Sequence, residues 1–129
     1  MSELTRHVIV FESQPFWEPE LQRQFLDEDV IVGACRSVKD LESRLARQSY
    51  DVCVADLTAD VTGLLRWLGV RLDQSGIVPV IVVAREEQQS LEWHVRELGA
   101  ASFTNEYVTG KQLAAMCRKQ WNHQSNATL

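Results

Sequence analysis

Two apolar runs each stop on a carboxylate: residues 7–12 end at Glu12 and residues 51–56 end at Asp56. Runs of this length and composition read as buried parallel strands, so both acids fall at the carboxyl edge of one sheet. Clustered acids there have two chemistries open to them. They can hold a divalent cation through oxygen ligands, or one can stay protonated because like charges raise its pKa. Nucleophilic catalysis fits less well. Ser13 has no histidine predicted nearby to activate it, and the Gly-x-Ser-x-Gly elbow is absent, so a hydrolase is disfavoured.

The elements that must position these acids are legible as a repeated pattern. Five β-rich runs occupy residues 7–12, 30–35, 51–56, 78–84 and 100–104, with Pro79 at the start of the fourth, where a strand tolerates it. Between them apolar residues recur at helical spacing: Trp17, Leu21 and Phe25; Leu41 and Leu45; Leu64 and Leu68; Leu91 and Val95; Leu113, Cys117 and Trp121. Ser37 to Asp40 predicts a helix cap, Thr109 to Gln112 predicts a capping box, and Gly99 marks a helix end. Strand then helix, five times over, specifies right-handed crossovers and a doubly wound α/β sheet.

Bulk properties narrow the function classes. The 129 residues suit one domain, and a net charge of −5 without a Lys/Arg cluster gives no footprint for nucleic acid or anionic lipid. No apolar stretch approaches the roughly 18 residues needed to span a bilayer, and the N-terminus lacks the pattern of a secretion signal. No nucleic-acid or membrane partner is expected, and the chain reads as cytoplasmic. Cys35, Cys53 and Cys117 lack metal-ligand spacing, and the first two, inside predicted strands, read as small buried hydrophobes.

In doubly wound sheets the working crevice lies where strand order switches, at the carboxyl ends of the strands. Glu12 and Ser13, Asp56, Ala84 and Arg85, and residues 104–106 fall there. Together with Pro15 after the first strand, the Val78, Pro79, Val80 opening of the fourth, and Leu98, Gly99, Ala100 before the fifth, they give a chain that resembles the receiver domains of two-component response regulators. The resemblance runs from residue 7 to about 121. It implies a flavodoxin-like receiver fold, three-layer α/β/α, with a five-stranded parallel sheet in the order 2-1-3-4-5. It also implies one receiver-like domain over residues 1–121, followed by a polar C-terminal tail over 122–129.

The same resemblance assigns roles. Asp56 falls on the phosphoacceptor that takes a phosphoryl group from a histidine kinase in a phosphorelay. Glu12 and Ser13 fall on the acid pair that holds Mg2+, so Glu12 and Asp56 are expected to make a weak Mg2+ site at best. Ala84 replaces the hydroxyl that contacts the phosphoryl group, Glu106 replaces the lysine, and Tyr107 replaces the proline after it. Phe103 keeps the aromatic switch position. Reversing a lysine charge matters most: at about 5 Å and an effective dielectric of about 20, one unit charge is worth roughly 3 kcal/mol. Arg85 swinging inward would offset part of this. The expectation is therefore a degenerate receiver, or pseudo-receiver, which is not an enzyme, carries little or no phosphate on Asp56 and signals through protein–protein contact. The alternative is a phospho-accepting response regulator receiver using Asp56 with atypical surroundings.

The expected contact surface is the fourth-helix and fifth-strand face, with Trp93, Phe103 and Tyr107 as aromatic anchors for a homodimer, a histidine kinase or another signalling protein. The plainer alternatives are that Trp93 lies flat on its neighbours and that Glu106 points to solvent. A flavodoxin-type ligand module is disfavoured, because the loop after the first strand has one hydroxyl and no glycine to cradle a phosphate.

Overall fold

The computed structural model describes residues 4–71 and 77–127. Five strands, β1 (Arg6–Phe11), β2 (Val30–Cys35), β3 (Val52–Asp56), β4 (Val80–Ala84) and β5 (Ser102–Asn105), alternate with five helices, α1 (Trp17–Gln24), α2 (Val38–Arg47), α3 (Val61–Arg71), α4 (Glu92–Glu97) and α5 (Gly110–Ala127). The strands form one parallel sheet in the order β2-β1-β3-β4-β5. This is the flavodoxin-like receiver architecture, with helices on both faces. Among the described residues, no helix is long and apolar enough to cross a membrane.

The pleat explains why the strand sequences are continuously apolar. In β3, Val52 and Val54 face one layer while Cys53 and Ala55 face the other, and both layers are covered. Val52 and Val54 join Trp17 and Leu21 of α1, Phe25 just after it, and Leu113, Cys117 and Trp121 of α5. Cys53 and Ala55 join Leu41 of α2, Leu64 and Trp67 of α3 and Val95 of α4. The three cysteines are buried and free. Burial pushes the Cys35 and Cys117 thiols up to about 12 and raises Cys53 as well, so all three are unreactive hydrophobes at neutral pH.

Helix ends follow the sequence signals closely. Ser37 Oγ accepts from the Asp40 N–H at 3.0 Å. Thr109 Oγ1 accepts from Gln112 N–H at 3.0 Å, while Gln112 Oε1 accepts from Thr109 N–H at 2.9 Å, a reciprocal capping box. Gly99 carries φ of 96°, the left-handed conformation that terminates α4. Two features differ from expectation. The fourth helical region opens as a 3-10 segment, Glu86–Leu91, before α4 begins. The last helix continues through Ala127, past the point at residue 121 where the polar composition suggests a tail. Trp121 explains the anchoring: it is buried against Phe25, ring centroids 5.6 Å apart.

Candidate functional site at the carboxyl edge of the sheet

Asp56 stands at the end of β3, partly buried, and its carboxylate turns back on its own chain. Oδ1 accepts from the Thr58 backbone N–H at 3.0 Å and from the Thr58 hydroxyl at 2.6 Å. This is an Asx-type turn that caps the short 3-10 segment Leu57–Ala59. Oδ2 makes no hydrogen bond among the described residues and is the oxygen left available for chemistry. Just beyond, Asp60 Oδ1 accepts from Gly63 N–H at 2.9 Å and starts α3. A Cβ at Gly63 would press on the Asp60 carboxylate, which would have to shift.

Glu12, directly after β1, is only 1% exposed. Its carboxylate accepts from three successive backbone N–H groups at the start of α1: Phe16 at 3.2 Å, Trp17 at 2.9 Å and Glu18 at 3.1 Å. The helix N-terminus lacks a side-chain cap from its own flanking residue Phe16, and Glu12 supplies one from the strand end. Arg36 completes the arrangement. Its Nη1 donates to the Glu12 carbonyl at 3.2 Å and lies 3.8 Å from the carboxylate, and its Nη2 lies 3.7 Å from Glu18. Because Phe11 pairs with Cys35, the parallel register brings Glu12 and Arg36 side by side.

These commitments bear on the metal reading. Glu12 spends its lone pairs on the helix, Asp56 shares one oxygen with Thr58, and Ser13 offers only a neutral hydroxyl on an exposed loop. That donor set does not fit Mg2+, which needs near-octahedral oxygen ligation with carboxylate charge. The three acids Glu12, Asp56 and Glu106 do not converge either: among the described residues no group of three or more His, Cys, Asp or Glu is placed to hold a metal ion.

The other positions around Asp56 are equally occupied or inert. Ala84 is buried at the end of β4 and has no side-chain donor. Arg85 is exposed, and its backbone N–H bonds to Gln88 Oε1 at 2.9 Å. Glu106 is exposed too, yet it is bonded: its carboxylate accepts from Glu86 N–H at 3.0 Å, at the start of the 3-10 segment after β4. Tyr107 donates its hydroxyl to the Glu86 carboxylate at 3.0 Å, and that acceptor raises the Tyr107 pKa. Glu106 and Tyr107 thus strap the loop after β5 to the loop after β4, at the positions where the resemblance puts a lysine and a proline.

Of the aromatic positions, Trp93 and Tyr107 are 73% and 69% exposed, while Phe103 is 8% exposed and packs in the core beside Val95. Phe103 therefore drops out of the exposed patch that the sequence suggests. Phe16, which the sequence pattern did not single out, is 64% exposed on the loop after β1. Thr58 and Arg36 were also missed. An Asp-x-Thr turn motif was a usable signal for the first, whereas Arg36 needed the strand register.

The sequence matches no family model and no curated protein. Solved structures do match. The receiver domain of the TMAO respiratory system response regulator TorR is 20% identical, with a TM-score of 0.77 over 88% of this chain and 94% of that one. The signal receiver domain of a putative LuxO repressor from Vibrio parahaemolyticus is 16% identical, with a TM-score of 0.80 over 97% of this chain and 96% of that one. An atypical orphan response regulator, described as revealing a phosphorylation-independent regulatory mechanism, is 18% identical, with a TM-score of 0.75 over 90% of this chain and 95% of that one. The chain has the fold of response-regulator receiver domains.

Proposed function

We propose that this chain is a receiver-like signalling module that acts through protein–protein contact, with little or no phosphorylation of Asp56. The observation that carries this reading is the electrostatic balance at the carboxyl edge. Glu12 is consumed by the α1 N-terminus, Ala84 offers no hydroxyl, and Glu106, bonded to the Glu86 N–H, stands at the sequence position where receivers carry a lysine. A phosphoryl group on Asp56 would turn a carboxylate of one negative charge into an acyl phosphate of about two, adding further negative charge to this acidic edge. The exposed aromatic rings of Phe16, Trp93 and Tyr107 suit a docking role, since aromatic anchors dominate interface cores. The partner would be a histidine kinase or another signalling protein.

One observation favours the second reading, a phospho-accepting receiver: Asp56 is partly exposed and keeps Oδ2 unbonded. That oxygen would be the one to attack phosphorus, with departure of the donor's leaving group. Incubation with acetyl phosphate and Mg2+, followed by mass spectrometry, decides between the two. The expected outcome is no mass gain in the native chain and a gain in the double variant Ala84→Thr, Glu106→Lys. A stoichiometric phosphoryl adduct on native Asp56, absent in Asp56→Ala, overturns the first reading in favour of the second.

A further inference from the structure

At the opposite, amino-terminal edge of the sheet, the closing turns of α2 and α3 flank a groove of about 400 Å3, within the range of about 300–1,000 Å3 typical of small-molecule sites. Leu45 and Ala46 from α2, Tyr50 before β3, and Trp67, Val70 and Arg71 from α3 line it. Arg71 is only 4% exposed. Its guanidinium lies over the Trp67 ring, 5.0 Å from the centroid, and its Nη2 donates to the Val78 carbonyl. Its Nη1 is buried and has no hydrogen-bond partner among the described residues. No carboxylate among them forms an ion pair with it.

A guanidinium is a rigid fork of donors matched to the two oxygens of a carboxylate. Here one prong is used and the other is desolvated with nothing to bond, which is the costly state of a buried polar group. A ligand oxygen would relieve it. Glu42, exposed, also lines the groove, and its negative charge disfavours a ligand carrying two negative charges. We propose that this groove binds a small organic monocarboxylate, its carboxylate taken by Arg71 and its apolar body lying against Trp67 and Leu45. Burial lowers the Arg71 pKa from its usual value, opposed by Cys53 nearby, yet an arginine stays charged at neutral pH. This site is independent of any chemistry at Asp56.

Titration of the full chain with benzoate, and with its neutral isostere benzamide, followed by 15N–1H correlation spectra, tests the proposal. Benzoate should give saturable shifts at the Arg71 Nε–H and the Trp67 indole N–H with Kd of about 1 mM or tighter. Benzamide should bind at least about tenfold more weakly. Arg71→Met should abolish the preference for benzoate. Ala46→Trp, on the exposed side of α2, should block the groove while leaving Arg71 in place. Should Arg71→Met fail to fold, Ala46→Trp carries the test alone. Unsaturable benzoate shifts, equal responses to the two ligands, or binding that survives Ala46→Trp would overturn the proposal.

Discussion

At the carboxyl edge of the sheet the buried Glu12 carboxylate accepts from three backbone N–H groups and sits beside Arg36; at the amino edge the buried Arg71 guanidinium donates to one carbonyl and lies over the face of Trp67. Both charges lie against helix ends of the favourable sign, Glu12 at the start of α1 and Arg71 at the end of α3. They differ in how fully they are answered. An acid surrounded by donors holds an element in place, whereas a cation with an empty donor adds little to the fold and is free to recognise something else.

Four measurements would break or sharpen that contrast. Replacing Glu12 by alanine strands three helix N–H groups and takes one of its two carboxylate neighbours from Arg36, so a loss of about 2–4 kcal/mol in urea unfolding is expected. A loss below about 1 kcal/mol would show that solvent replaces the cap and that the two edges are alike. A buried group kept neutral supplies the next comparison. Burial moves the Cys117 thiol from its ordinary 9.0 up to about 12, so the unfolded chain ionises there first. The contribution of this thiol is therefore fully present below pH 9 and is lost as pH climbs from 9.0 towards about 12. Each such thiol contributes up to about 1.4 kcal/mol per pH unit of that slope. Cys117→Ala, unfolded in urea under reductant, should shed that share of the slope; an unchanged slope would place the thiol in contact with water.

Smaller effects follow. Thr58→Val removes the hydroxyl bonded to Asp56 and should cost about 1 kcal/mol by thermal unfolding. The same variant should leave Asp56 no better a phosphate acceptor, because the missing cation is unaffected; an acetyl phosphate adduct appearing in Thr58→Val would mean that the turn, rather than charge, restrains the aspartate. Arg71→Met is expected to change stability by less than about 1 kcal/mol in either direction, since an apolar side chain relieves the unpaired donor while losing the Val78 bond. A cost as large as that of Glu12→Ala would show Arg71 to be fully satisfied and structural.

How much of this could be read without coordinates differs between fold and site. The layered architecture was legible because it is written in local signals: Ser37, Thr109 and Gly99 each act within four residues of themselves, and strand and helix periodicities differ cleanly. The end of α5 was misjudged because a polar surface is normal for the last turns of a helix already anchored by Trp121. At the site, chemistry was inferred from which residue stood at each strand end. What those side chains bond to was hidden. Glu12 and Glu106 are both carboxylates at the same edge, yet each has been drawn to backbone N–H groups of a different helical segment.

By itself the sequence determined the order of elements, the two-sided core and the types of group available at the carboxyl edge, because periodicity, capping and composition act locally along the chain. Only the tertiary structure decided that Glu12 caps α1 beside Arg36, that Phe103 is core while Phe16 is exposed, and that Arg71 keeps an unanswered donor. Those outcomes depend on strand register and on helices meeting across the sheet, contacts between residues far apart in the chain whose partners no local pattern encodes.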